Sequence, residues 1–244
     1  YVPRTTDVVT PPFPCVLGTC GHSDLGKAEP KYQAFCAGLA EKGFLTLIFD
    51  PIGQGERFQY PQRNAPISGC VAEHVVLGAK LSLIGDYFGS WRAWDAIRAL
   101  DVLLGRPDAD PRRVGLTGNS GGGTMTTIVT ALEDRLTMIA PSCFITSYRR
   151  NLLNELPADT EQIPPGILEA GYELYDHLSA SAPRPTLILS KEDDFFDLRG
   201  AREATVELTK LYELLGAPDN IESYVGAGGH GFDRELREAM YGFF

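Results

Sequence analysis

Five residues, Gly118-Asn119-Ser120-Gly121-Gly122, limit what this chain can fold into more than any other stretch. The residues before them, Arg113-Val114-Gly115-Leu116-Thr117, are partly β-branched and apolar, and read as a short buried strand. Residues 123–132 follow with helical character and no proline. Strand, G-x-S-x-G and helix in that order describe a nucleophile elbow. The serine must sit on a turn too tight for side chains on its neighbours, so Gly118 and Gly122 relieve the crowding between strand and helix. Ser120 is thereby lifted into the open at the helix N-terminus, where the Gly121 N–H points at a developing oxyanion. A glycine-rich turn that binds phosphate, or merely packs, would satisfy the pentapeptide as well. The downstream sequence separates these readings.

A serine nucleophile of this kind needs an acid and then a histidine, in that chain order. Residues 185–190 read as a strand that runs into Lys191-Glu192-Asp193-Asp194-Phe195-Phe196-Asp197, at the C-terminal sheet edge where open α/β folds place their sites. A later strand, 221–225, empties into Gly226-Ala227-Gly228-Gly229-His230-Gly231-Phe232. His230 would take the Ser120 proton as general base and return it to the leaving group, while the carboxylate holds the imidazole tautomer. An acidic loop by itself is usually only solvated, and Gly-His-Gly by itself is usually a turn. Three strand-end signals in the required order point to a Ser-His-Asp triad. Asp193, Asp194 and Asp197 are all within reach of the strand end. Asp197 precedes a helix running to about Gly216, which suits an N-cap.

The second oxyanion donor comes from the loop after an earlier strand. Residues 14–20 supply that strand, and Gly21-His22-Ser23-Asp24-Leu25-Gly26-Lys27 the loop, so the donor is assigned to the His22 N–H, with Ser23 beside it. The His22 ring needs no chemical role. No second ligand stands near it at helical or hairpin spacing, so no metal is expected, and no cofactor. His74 and His177 have no identifiable partner and read as structural.

These residues carry a family resemblance. The chain resembles the α/β-hydrolase superfamily, specifically the acetyl xylan esterase-like and dienelactone hydrolase-like bacterial enzymes. The matching stretches are Cys20-Gly21-His22-Ser23 with Gly26-Lys27, Asp50-Pro51-Ile52-Gly53-Gln54-Gly55-Glu56-Arg57 and Gly118-Asn119-Ser120-Gly121-Gly122-Gly123. Asp194-Phe195-Phe196-Asp197 with Gly200, and Gly228-Gly229-His230-Gly231, complete the set, which spans nearly the whole chain. The resemblance implies that the acid is the aspartate directly before the two phenylalanines, Asp194. It also implies ester hydrolysis, commonly of acylated carbohydrates, with the acyl group and sugar left open.

Strand and helix signals alternate along the chain, which argues a mostly parallel sheet flanked by helices. Tyr32, Phe35, Cys36 and Leu39 mark one helix; Trp91, Trp94, Ile97, Leu100 and Leu104 mark another, with their aromatics expected in the core. At 244 residues and 43% hydrophobic content, residues 1–244 can form one catalytic domain without disulfides or metals. A start at Tyr1 leaves room for a removed signal peptide, hence a secreted or periplasmic protein, or for further N-terminal strands. Five cysteines leave at least one thiol unpaired, and buried free thiols suit most of them. A net charge of -10 disfavours nucleic acid and anionic membranes as partners. Two segments, 51–90 and 144–183 (the latter with Pro157, Pro164 and Pro165), are expected to build the substrate pocket. Arg57 and Gln54 are candidate substrate contacts there, although Arg57 has a stronger claim to brace its own loop through Glu56 or Asp50. The expected function is a serine carboxylesterase acting through an acyl-enzyme on a small-molecule or carbohydrate ester. A serine peptidase or amidase and a non-catalytic binding protein of the same fold are the alternatives.

Overall fold

A computed structural model of the chain describes residues 1–60, 68–154 and 158–244. Residues 61–67 of the first expected pocket segment, and 155–157 of the second with Pro157 among them, lie outside the described residues. Among the described residues six strands make one sheet: β1 (Phe13–Thr19), β2 (Leu45–Ile48), β3 (Ala109–Asn119), β4 (Met138–Ser142), β5 (Thr186–Asp193) and β6 (Ile221–Gly229). They run in the order β2-β1-β3-β4-β5-β6, and every neighbouring pair is parallel. Parallel neighbours need long crossovers, which is why helices separate the strands in sequence. Those helices include α1 (Pro30–Glu41), α2 (Cys70–Ser82), α3 (Phe88–Leu104), α4 (Gly121–Thr130), α5 (Tyr148–Leu153), α6 (Asp176–Ser179), α7 (Leu198–Leu214) and α8 (Arg234–Phe243).

Both faces of the sheet are covered, so the strands are apolar on both sides. Along β1, Cys15 and Leu17 enter one core with Ala93 and Leu100 of α3, Met125 of α4 and Leu208 of α7. Val16, between them, enters the opposite core with Tyr32, Phe35 and Leu39 of α1 and Leu236 and Met240 of α8. The period-2 geometry of a strand makes this division. All five cysteines are buried and free. Among the described residues no helix is long and apolar enough to cross a membrane.

One expected packing detail is corrected. Trp91 and Trp94 lie on the outer face of α3, 50% and 56% exposed. The buried face of α3 carries Phe88, Arg92, Ala93, Ala96, Leu100 and Leu103. Small alanines let that face approach the sheet closely, and the tryptophans find polar partners outside. Trp91 Nε1 donates to Asp86, and the Arg98 guanidinium lies 4.5 Å over the Trp94 ring.

The strand order also locates the crevice. From β1 the chain moves outward to β2, whereas from β3 it moves the other way to β4. The loops that follow β1 and β3 therefore part at the C-terminal edge and leave a cleft between them.

Candidate active site

Ser120 forms the whole turn between β3, which ends at Asn119, and α4, which begins at Gly121. Its backbone stands at φ 61 and ψ -124, a conformation that L-residues adopt only under constraint. The constraint is visible. The Ser120 N–H donates to the Ser142 carbonyl on β4 at 2.9 Å. A Cβ on Gly118 would stand 2.2 Å from Thr19 Oγ1, and one on Gly122 would stand 2.2 Å from the Thr19 carbonyl oxygen. The turn is thus pressed against the end of β1, and its glycines answer to that strand as well as to the turn. As the first residue of α4, Gly121 has an N–H with no intrahelical acceptor.

Asp194 and His230 follow neighbouring strands, β5 and β6, whose register pairs Asp193 with Gly229. His230 Nδ1 lies 2.9 and 3.0 Å from the two Asp194 oxygens. A carboxylate only accepts, so Nδ1 carries the hydrogen and Nε2 is left as the basic nitrogen. Asp194 also accepts the Phe196 N–H at 3.0 Å, and its side chain is 1% exposed. The Phe195 ring stacks on His230 with centroids 4.1 Å apart. Asp193 is exposed, and Asp197 caps α7 by accepting the Arg199 N–H.

A cavity of about 360 Å³ opens beside these groups, lined by Ser120, His230 and Phe195 together with His22, Tyr32 and Val71. Gln54 and Arg57, the candidate substrate contacts, do not line it. Gln54 is fully buried, and its Nε2 donates to the carbonyls of Gly21 and Ser23 at 2.8 and 3.1 Å. It braces the loop that carries the His22 N–H. Arg57 donates to Asp95 of α3 at 2.5 Å and to the Asp50 carbonyl at 3.1 Å. The carboxylates expected to pair with it are taken by Lys27, whose Nζ reaches Asp50 at 2.6 Å and Glu56 at 2.7 Å. Asp50 also accepts the N–H groups of Lys27 and Glu56, so one buried carboxylate ties the two loops together.

Two residues near the serine were hidden from sequence reasoning. Tyr32 reads as a core position of α1, and its ring is core, yet its hydroxyl is buried with no hydrogen-bond partner among the described residues, close against Gly21. Burial pushes its pKa well above the usual phenol value, so the hydroxyl stays a donor. The second is Asp159. The expectation that His74 lacks a partner fails, and His22 shares the same one: His22 Nε2 lies 2.5 Å and His74 Nδ1 2.8 Å from Asp159 Oδ2. Their sequence separations of 137 and 85 residues leave no local signal to read. His177, on α6, lies away from the cavity.

The sheet order and helical layers are those of the α/β-hydrolase fold. "Methylesterase BT1017" superposes on the entire chain with a TM-score of 0.73 at 24% identity, and this chain spans 50% of that protein. A glucuronoyl esterase of carbohydrate esterase family 15 from Caldicellulosiruptor kristjansonii superposes with a TM-score of 0.66 at 18% identity, over 100% of this chain and 70% of its own. "Putative hydrolase YtaP" of Bacillus subtilis (strain 168) is 28% identical over 236 residues, covering 90% of this chain and 73% of its own length. The chain belongs to the acetyl xylan esterase (AXE1) family, whose sequence model matches residues 7–160, and it is an ester hydrolase. That match contains His22 and Ser120 and stops short of Asp194 and His230.

Proposed function

We propose that the chain is a serine carboxylesterase that hydrolyses short-acyl esters of carbohydrates through Ser120, His230 and Asp194. One observation carries this reading: the buried Asp194 carboxylate holds His230 Nδ1–H, freeing Nε2 as a base in the cavity that Ser120 lines. Ser120 Oγ attacks the ester carbonyl and passes its proton to His230 Nε2. The tetrahedral oxyanion takes hydrogen bonds from the Gly121 and His22 N–H groups, with the Tyr32 hydroxyl as a third donor. Collapse returns the proton from Nε2 to the departing alcohol, and a water activated at Nε2 then releases the acid from the acyl-enzyme. Val71 and Val75 of α2 wall the cavity from the 51–90 segment, and Asp159 and Gln162 from the 144–183 segment. Its size supports a short acyl group. The family, and the carbohydrate esterase among the structural neighbours, support a sugar as the alcohol.

The test compares p-nitrophenyl acetate, acetylated xylan and an aminoacyl anilide. Ester turnover with an inert anilide supports the reading; anilide cleavage without ester turnover overturns it. Asp194→Asn should lower kcat about 10⁴-fold by presenting the wrong tautomer of His230, whereas the exposed Asp193→Asn should stay near wild type. Equal, mild losses would remove Asp194 from the acid's role. Tyr32→Phe should lower kcat by up to about 10²-fold with little change in KM, the signature of a donor used in the transition state. A kcat equal to wild type would leave the hydroxyl without a part in the chemistry.

A further inference from the structure

The side chains of His22, His74 and Asp159 come from three separate segments and converge beside the nucleophile, with no part in the proton transfers proposed above. His22 Nε2 and His74 Nδ1 are 3.2 Å apart, and Asp159 Oδ2 lies 2.5 and 2.8 Å from them. The Glu161 carboxylate stands 3.7 Å from each ring nitrogen, and its Oε2, the oxygen nearer His74, is paired with Arg92. His74 and Glu161 side chains are fully buried, Asp159 is 4% exposed, and His22 is 17% exposed, facing the cavity.

Counting hydrogens exposes a deficit. His74 Nε2 lies 2.9 Å from the Ile52 carbonyl oxygen, which can only accept, so Nε2 carries the hydrogen. In a neutral imidazole Nδ1 then presents a lone pair, 2.8 Å from a carboxylate oxygen. Two lone pairs at that distance repel unless a positive charge lies between them. A proton or a metal cation can supply that charge, and the His74 side chain that must hold it is fully buried.

We propose that His22 Nε2, His74 Nδ1 and Asp159 Oδ2 ligate a divalent transition-metal ion, with zinc the ion best suited to two imidazoles and a carboxylate. The outer shell is already in place. The second nitrogen of His74 is fixed on a backbone carbonyl, as metal-bound histidines usually are. Asp159 Oδ1 accepts from the Thr160 hydroxyl at 3.1 Å and from the Glu161 N–H at 3.4 Å, which leaves Oδ2 for the ion. Donors around an ion with bonds of about 2.0–2.1 Å stand about 3.0–3.4 Å apart. The two nitrogens fit this spacing, and Asp159 Oδ2 needs to withdraw by about half an ångström. Glu161, neutralised by Arg92, closes the base of the site, and the exposed edge of His22 gives entry from the cavity. A Cβ on Gly121 would meet the His22 ring at 2.8 Å, so the ion would stand close to the oxyanion donors. The other group of possible ligands, Cys143 with Asp194 and His230, is a poorer candidate. Burial pushes the Cys143 thiol up to about 12, and its Sγ donates to the Gly231 carbonyl.

The experiment is zinc chloride titration of the full chain after chelator dialysis, followed by calorimetry and by elemental analysis of the washed protein. One zinc per chain with a Kd below about 1 μM is expected, together with a rise in Tm on binding. His22→Gln and Asp159→Asn should each weaken zinc binding by at least about 100-fold. Cobalt(II) bound in the same place should give the visible absorption of a low-symmetry site, lost in both variants. No zinc retained by the wild-type chain at 100 μM (about 100 times the expected Kd), or retention unchanged in both variants, overturns the proposal. The wild-type titration depends on no variant folding and no turnover, so it fails or succeeds independently of the esterase reading.

Discussion

Ser120→Ala should lower kcat/KM for p-nitrophenyl acetate by at least about 10⁴-fold while leaving the protein folded. The serine Oγ is the only atom removed, and the turn is held from outside by the Ser142 carbonyl and by the contact of Gly118 and Gly122 with Thr19. His230→Ala should cause a loss of similar size, and the double variant should lose little more. Nucleophile and base act as one unit, so removing either already removes what the pair contributes. Residual turnover would come from the oxyanion donors and from binding. A Ser120→Ala variant that kept most of its activity, with native circular dichroism, would place the nucleophile elsewhere.

The largest expected effect on the fold comes from Gly122→Ala. The added methyl group would stand 2.2 Å from the Thr19 carbonyl oxygen and 2.9 Å from its carbonyl carbon. Both are backbone atoms at the end of a central strand, so neither can swing aside as a side-chain tip would. Strand and helix must separate instead, at a cost on the order of 3 kcal/mol, which for a chain of this size is a fall of roughly 6–12 °C in Tm. Activity should vanish as well, because the separation displaces Ser120 and the Gly121 N–H together. Gly242→Ala supplies the control. It lies exposed in α8, with nothing within 4 Å of its Cβ position, and should leave Tm unchanged or slightly raised. Equal Tm values for the two variants would mean that the elbow is not crowded against β1.

The alternation of strands and helices was legible because two-sided burial makes parallel strands into apolar runs. The elbow was legible because its turn leaves no room for side chains beside the serine. Those are local requirements, and sequence states them directly. The Trp91 and Trp94 expectation failed for a physical reason: both lie off the face of α3 that carries Phe88, Ala93, Ala96, Leu100 and Leu103, and they find partners in Asp86 and Arg98 outside the core. Gln54 and Arg57 sit in a motif-rich loop beside the site, and nothing local distinguishes a residue that touches substrate from one that holds the loop. The partners the structure gives them, Gly21, Ser23 and Asp95, lie up to 38 residues away.

By itself, then, the sequence determined the strand-turn-helix at Ser120, the parallel α/β class, and the chain order of an acid-bearing loop and a histidine-bearing loop. Each follows from backbone sterics or from burial over a few consecutive residues. Only the tertiary structure decided that Asp194, and not Asp193 or Asp197, meets His230, through the register of β5 on β6. Only it brought His22, His74 and Asp159 to one point, and turned the Tyr32 hydroxyl toward Gly21. The reason is distance along the chain: such contacts are made where separate loops meet at the open edge of the sheet, and no local periodicity encodes which side chains arrive there together.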